Sequence, residues 1–356
     1  MNRHLHIVSS NCPCPPDHGR SIDIFEKILA LHQKGIKIHL HYINCPDGGD
    51  SKEVSNYCES VTVYESQKDM TEAFKYEFSK NDFPLLIEGF SCSQILEQMI
   101  PKLRKVLVRL HNVELETSGS LSPKQGPFHK LLSYYSKKHK NNRTHFHKDC
   151  LYVCRSEKEA EKLRKLYQLP NVEVLHPFVA WHEIKCKQGT GNFCLYHGNL
   201  SLPANEKTAI WLLEKVFSEI RYPFVIAGKN PSRRIRKLTQ LYSHSCIVAN
   251  PSHSQIDDLI QKAQINIIPS MQAPCGKYKL LHSLFCGRHC VTNHNMVTDT
   301  GLEKACHIAD DSRTKIETIK RLMDVPFTSQ EIEFRKDLLS GYNNSKNICR
   351  LIDWLY

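Results

Sequence analysis

Nowhere among the 356 residues is there an apolar run of the roughly 18 needed to cross a bilayer. The N-terminus, Met1-Asn-Arg-His-Leu-His-Ile-Val-Ser-Ser10, carries a strand-like apolar stretch but no h-region of a secretion signal. These two absences set the expectation of a cytoplasmic protein. Internal repeats and low-complexity tracts are also missing. So is any CxxC pair, although the chain has 15 cysteines. The closest spacings are Cys12-x-Cys14, Cys150-x3-Cys154 and Cys286-x3-Cys290, and the total is odd. Cys154, Cys194 and Cys290 sit inside apolar runs, where a thiol behaves as a small hydrophobe. Reduced, buried thiols are therefore expected, rather than a disulfide framework or a zinc site.

What is present is a positive charge of unequal distribution. The net charge is +11, from 48 Lys and Arg against 37 Asp and Glu. Between Pro101 and Pro170 basic residues exceed acidic ones 16 to 6, with Lys137, Lys138, Lys140, Arg143 and Lys148 at the centre. Such a stretch is either a solvated helix face or a patch for an anionic membrane surface or polyanionic acceptor. Neither a helix-turn-helix pattern nor interleaved aromatics accompany it, so nucleic acid is not expected as a partner.

Strand-like and helix-like segments alternate along the chain, which implies parallel sheets with crossover helices. Strands are expected at 6–9, 36–43, 60–64, 85–88, 106–109, 151–154 and 172–175, with a helix over 22–34 closed by Gly35. The loop 11–19 holds three prolines and a glycine. Residues 179–192 read as a connection. The pattern then restarts with strands at 193–196, 224–227, 246–249, 265–269 and 290–293, and helices over 206–217, 233–242, 254–263 and 279–285. That rhythm predicts a second doubly wound α/β domain. The expected division is 1–178, 179–340 and an amphipathic C-terminal helix, 341–356, packing back on the first domain, with Ile348, Leu351, Ile352 and Leu355 on one face.

In an open parallel sheet, ligands sit at the C-terminal ends of the strands, where helix N-termini present free N–H groups. Four loops of the second half meet that description: Gly198-Asn-Leu-Ser201, Gly228-Lys-Asn-Pro-Ser232, Asn250-Pro-Ser252 and Pro269 to Lys279. Glycines at 198, 228 and 276 would let backbone approach a phosphate, and Lys229, Lys277 and Lys279 would add charge. For either of Gly198 and Gly228 alone, a simple chain turn would suffice.

The motifs in order carry a resemblance that spans nearly the whole chain. Leu195-Tyr-His-Gly-Asn-Leu-Ser-Leu-Pro-Ala-Asn-Glu-Lys207, Phe224 to Ser232 and, above all, Ala263 to Asn293 resemble the donor domain of bacterial retaining glycosyltransferases of the GT-B fold. The last stretch follows their A-x-I-x-I-x-P … K-x-K-L-L-x-x-L-x-x-G-R-x-x-V pattern. Pro15-x-x-His-Gly19 and Val108-Arg-Leu-His-Asn-Val-Glu114 resemble their N-terminal glycine loop and acceptor-domain His-Asn segment.

The resemblance implies two Rossmann-like domains facing across a cleft. It also implies transfer of a sugar from a nucleotide-diphosphate sugar to a saccharide or lipid-linked acceptor in polysaccharide synthesis, with retention and without a metal or other cofactor. Gly198, Asn199, Gly228, Lys229 and the backbone from Gly276 through Lys277 to Lys279 would hold the diphosphate. Asn250 would border the base, and Gly19 with Arg20 would close over the phosphates. His111 would lie near the transferred sugar, oriented by Glu114. The absence of an Asp-x-Asp triplet fits a metal-independent site. Two positions depart from the pattern. Where many relatives have a Glu that accepts both ribose hydroxyls, the chain has His282; where they have a phosphate-binding Arg, it has Asn199. These departures keep two further readings open: a nucleotide-binding scaffold without catalysis, and a GT-B nucleotide-sugar epimerase. His111 can also be read as structural. Glu88, ending another strand, is either a second catalytic carboxylate or a salt-bridged one.

Overall fold

The computed structural model describes residues 3–10, 12–16, 18–43, 52–77, 80–89, 92, 95–96, 104–111, 146–271 and 277–356. The chain forms two compact units, Met1–Phe178 with Ser345–Tyr356, and Val179–Asn344. The C-terminal segment thus joins the first unit from Ser345, whereas residues 341–344 stay with the second.

The first unit contains β1 (His4–Ser9), helix α1 (Gly19–Gln33), β2 (Lys37–Ile43), β3 (Ser60–Tyr64), α2 (Gln67–Glu77), β4 (Leu85–Glu88), β5 (Val106–Arg109), β6 (Leu151–Cys154), α3 (Glu157–Tyr167) and β7 (Val172–Val174). Its strands form one parallel sheet in the order β3-β2-β1-β4-β5-β6-β7. The second contains β8 (Cys194–His197), α4 (Pro203–Leu212), β9 (Phe224–Gly228), α5 (Arg233–Leu241), β10 (Ser245–Ala249), α6 (His253–Lys262), β11 (Ile265–Ile267), α7 (Tyr278–Cys286), β12 (His289–Thr292), β13 (His307–Ile308), α8 (Ser312–Leu322) and α9 (Ser329–Leu339). Its sheet, again parallel, runs β10-β9-β8-β11-β12-β13. The final helix, α10 (Asn344–Leu355), packs on the first sheet.

Both faces of each sheet are covered, and strands such as β4 (LLIE) and β5 (VLVR) read as apolar runs, whereas β1, β2 and β3 alternate apolar residues with His, Lys, Ser or Thr. Leu5, Ile7 and Leu86 enter one core layer, where α10 contributes Ile348, Leu351, Ile352 and Leu355, while Val8, Leu85 and Ile87 enter the other. In the second unit Cys194 and Tyr196 point to one layer and Leu195 to the opposite one. Helix starts follow local capping chemistry. The Ser232 hydroxyl accepts from Ile235 N at 3.2 Å, and Ser252 with Gln255 and Thr328 with Glu331 form reciprocal capping boxes.

Both sheets have the doubly wound order, so strand order reverses between β1 and β4 in one unit and between β8 and β11 in the other. Beyond those pairs of strand ends the crossover helices diverge to opposite faces and leave a crevice. Gly198, Gly228, Lys279, Glu88 and His111 stand near these strand ends.

Candidate functional site

In the second unit the reversal point is built from glycine. Gly198 follows β8 with φ +155°, a region L side chains rarely adopt. A Cβ on Gly228, at the end of β9, would lie 1.9 Å from the Gly198 carbonyl oxygen. Backbone bonds tie the loops together: Gly198 N to Ala227 O at 3.0 Å, Leu200 N to Lys229 O at 2.9 Å and Asn250 N to Gly228 O at 2.9 Å. The two glycines expected to approach a ligand are therefore side by side, and Gly228 is required by backbone packing as well.

Lys279, in the first turn of α7, reaches this point. A Cβ on Gly198 would stand 3.2 Å from its ammonium nitrogen. Its Nζ donates to Asn205 Oδ1 at 2.8 Å and lies 5.3 Å from the centre of the Tyr196 ring. Asn205 Nδ2 in turn donates to the Asn199 carbonyl at 2.8 Å. Among the described residues no carboxylate pairs with Lys279. Burial brings its pKa down to about 8. A partly desolvated cation with no counter-ion, beside a glycine turn, is the electrostatic complement of an anionic ligand.

The remaining donor-side residues divide. Asn199 uses its side chain locally, accepting from Ser201 N at 3.1 Å and from Ser201 Oγ at 2.7 Å. Asn250 has φ +51° and accepts from Asn230 N at 2.7 Å, which fixes one loop on the next. Lys229 is exposed, and Lys277 donates to the Thr298 carbonyl. Gly276 lies outside the described residues.

His282, one turn along α7 from Lys279, is bound to a residue the sequence did not single out. Its Nε2 contacts Asp257 Oδ1 of α6 at 2.6 Å. The ring stacks on Trp181 at 4.3 Å and meets His197 edge-on at 5.7 Å. Burial lowers the His282 pKa despite the pull of Asp257. Burial would raise Asp257, but the His282 hydrogen bond and charge hold it below the usual carboxylate range. A carboxylate is thus present beside position 282, carried by the neighbouring helix.

In the first unit the reversal point holds a buried charge cluster. His111 Nε2 is 2.7 Å from Glu88 Oε2, at the end of β4. Lys27 of α1 donates to Glu88 Oε1 at 2.5 Å. Asp23, one turn before Lys27, accepts from Phe178 N at 2.7 Å, and its other oxygen faces His111 Nδ1 at 3.5 Å and both Lys27 Nζ and Arg109 Nε at 3.8 Å. Arg109 donates to the carbonyls of Cys154 at 3.1 Å and Leu175 at 2.7 Å. Two cations balance two carboxylates, so the cluster is neutral when His111 is neutral. Burial favours that form, lowering the His111 pKa against the opposing influence of Glu88 and Asp23. Burial would raise Glu88, but Lys27 and His111 outweigh it and hold that carboxyl at about 2.

Glu88 is therefore salt-bridged and is also the hydrogen-bond partner of His111. Glu114, the expected partner, lies outside the described residues. Gly19 and Arg20 occupy the first turn of α1, which begins at Gly19 rather than at residue 22, through a capping box between His18 and Ser21. Arg20 Nη1 reaches Ser10 Oγ at 3.5 Å. Among the described residues two groups could offer metal ligands, Asp23/Glu88/His111 and Asp257/His282/Cys286, with donor atoms within 4.8 Å of one another. A protein cation already acts on each, Lys27 on the first and Lys185 on the second.

Comparison with known proteins adds a relative and a set of folds. No protein-family profile matches the chain. An uncharacterized 44.6 kDa protein in the cps region of Klebsiella pneumoniae is 25% identical over 319 residues, covering 78% of this chain and 79% of that protein. A glycosyltransferase from Rickettsia africae superposes with a TM-score of 0.68 at 11% identity, covering 99% of this chain and 97% of its own. A variant of S. aureus TarM, crystallised with UDP and alpha-GlcNAc-glycerol, gives 0.67 at 7% identity over 99% of both chains. AviGT4, a glycosyltransferase involved in avilamycin A biosynthesis, gives 0.59 at 9% identity over 99% and 97%. With two Rossmann-like sheets, each of parallel strands, and these structural counterparts across its length, the chain has the GT-B fold of glycosyltransferases.

Proposed function

We propose that the protein is a glycosyltransferase that moves a sugar from a nucleotide-diphosphate sugar to a saccharide or lipid-linked acceptor in cell-surface polysaccharide synthesis. Its K. pneumoniae relative lies in the cps (capsule) region, which supports the polysaccharide part of this reading. The observation that carries the donor assignment is Lys279, an ammonium without a carboxylate partner among the described residues, beside Gly198 at the β8–β11 reversal point. As a nucleoside diphosphate departs, negative charge grows on its phosphate oxygens. Lys279, the N-terminal turn of α7 and the backbone at Gly198, Asn199 and Gly228 would stabilise it, with Lys229 and Lys277 adding long-range charge. The reading is metal-independent, with these cations in the place a bound metal takes elsewhere, and retaining, as the resemblance of Ala263 to Asn293 to retaining enzymes implies.

Asp257, oriented by His282, would accept the ribose hydroxyls, and the Asn250 loop would border the base. His111 with Glu88 belongs to the acceptor side in this reading, and Gly19 with Arg20 to the α1 N-terminus that would close over the phosphates. The basic region 101–170 would bring the enzyme to the inner membrane face. A thermal-shift panel of uridine, guanosine and thymidine diphosphates and their sugars tests the donor assignment. A ligand at 100 times its dissociation constant stabilises by about 2.7 kcal/mol. If no nucleotide raises the melting temperature, or Lys279→Ala leaves the rise intact, the assignment is wrong.

A non-catalytic nucleotide-binding subunit is the second reading. It is favoured by the Asn199 side chain being closed on Ser201 and by His282 Nε2 being committed to Asp257. Sugar transfer or donor hydrolysis that disappears in His111→Ala would dismiss it.

A further inference from the structure

Helix α5 lies outside the cluster described above and has an unusual surface. Its sequence is Arg233-Arg-Ile-Arg-Lys-Leu-Thr-Gln-Leu241, with four cations and no acid. At 3.6 residues per turn, positions 233, 234, 236, 237, 240 and 241 fall within an arc of about 160°. Ile235 and Thr239 are buried on the other side, and Leu238 packs against the same core. The outer arc therefore presents Arg233, Arg234, Arg236 and Lys237, all exposed, together with Leu241 at 75% exposure.

None of these four cations has an acidic partner among the described residues. Arg236 makes only a 3.4 Å bond from Nε to the Pro231 carbonyl. Several other helix charges are paired one turn apart, as in Lys262–Asp258, Arg313–Glu317 and Lys165–Glu161. Arg233 and Arg234 also occupy the first turn, where the helix dipole disfavours positive charge. Helix stability alone thus does not account for their placement. The exposed leucine on the same arc distinguishes this face from a purely electrostatic one. Guanidinium and ammonium groups flanking a projecting apolar side chain match the headgroup layer of an anionic bilayer, with phosphates outside and acyl chains beneath.

We infer that the outer face of α5 is a membrane-contact surface for anionic phospholipid, with Leu241 entering the headgroup–acyl boundary. This does not depend on the sugar-transfer reading and is separate from the basic region 101–170.

The test is flotation of the full chain with vesicles of phosphatidylcholine alone or with one part in three phosphatidylglycerol. Binding is expected only to the anionic vesicles and should weaken as salt shortens the Debye length from about 10 Å at 0.1 M. Each cation near such a surface contributes about fivefold to partitioning. Changing Arg233, Arg234, Arg236 and Lys237 together to Gln should therefore reduce it by more than about 100-fold. Leu241→Ser should reduce it several-fold, with the melting temperature unchanged in both variants. Failure of the wild type to float overturns the inference. So does binding that survives the four-Gln variant but is lost when Lys137, Lys138, Lys140 and Arg143 are changed. Binding to soluble polyglutamate as tight as to vesicles, with Leu241→Ser silent, would reassign the face to an acidic polymer.

Discussion

His282 holds Asp257 at 2.6 Å, from α7 to α6, and so restores a carboxylate next to a position where the sequence pattern had lost one. On that basis Asp257→Ala should weaken nucleoside-diphosphate binding by roughly tenfold, the scale of a lost hydrogen bond to a charged group. Adding His282→Glu to that variant should recover most of the affinity, because the carboxylate then comes from α7 itself. Isothermal titration calorimetry distinguishes the two. Equal affinity in wild type and Asp257→Ala would remove Asp257 from the site.

Lys279 supplies a pH signature. Burial depresses its pKa from 10.5 to about 8, so the unbound fold disfavours the charged form and gains stability as pH rises from about 8 towards 10.5. Nucleotide binding should run the other way. The anion needs the ammonium, so affinity should be steady below about pH 7.5 and decline above 8. Lys279→Arg, with a guanidinium charged throughout this range, should flatten the decline. Parallel wild-type and variant profiles would show that another group controls it.

The Lys27–Glu88 pair is buried, so removing one member leaves an uncompensated charge. Lys27→Met should destabilise the first unit by about 3–5 kcal/mol, and Lys27→Met with Glu88→Gln should cost less than the single change. Urea unfolding followed by fluorescence measures both. Lys27 and His111 hold the Glu88 carboxyl at about 2, below its ordinary 4.5. The stability it contributes is therefore complete above about pH 4.5 and disappears as pH falls towards 2. A double variant as unstable as the sum of the singles would show that the two groups are not coupled.

Gly228→Ala tests the packing of the glycine turns. The added methyl would sit 1.9 Å from a backbone oxygen, which cannot rotate away as a side chain would. A loss of about 1–3 kcal/mol is expected, visible as a drop of several degrees in melting temperature. A variant that melts with the wild type would mean that the β8 and β9 ends are looser than described.

Much of this architecture was legible because buried parallel strands announce themselves as short apolar runs. The expected bounds of β3, β4, β5 and β6 agree with the structure. Elements with few apolar residues leave a weaker trace in the sequence. β13 has only two residues, His307 and Ile308, and neither it nor α8 and α9 is among the elements expected from the sequence. α1 begins three residues early because His18 and Ser21 cap it, and neither contributes to apolar periodicity. α4 starts at Pro203, a residue suited to the first helical position, and gives way at Leu213 to a wider turn through Phe217.

The candidate site was half visible. Gly198, Gly228 and Lys279 could be marked from strand ends. Asp23, Lys27 and Asp257 could not, since charged residues on a helix ordinarily face water. Their significance comes from partners 61 residues away for Lys27 and 25 for Asp257, which only the folded chain brings together.

The Tyr356 hydroxyl donates to the carbonyl of His4 at 2.7 Å, and α10 completes the core layer begun by β1. The first unit is consequently discontinuous in sequence, with residues 179–344 spliced into it as a cassette. Its core cannot close while a nascent chain has emerged only as far as residue 178, whereas the second unit has all its parts before residue 345 appears. Order of synthesis and order of completion are thereby reversed, and a lesion in α10 should be felt at β1 rather than at its sequence neighbours in α9.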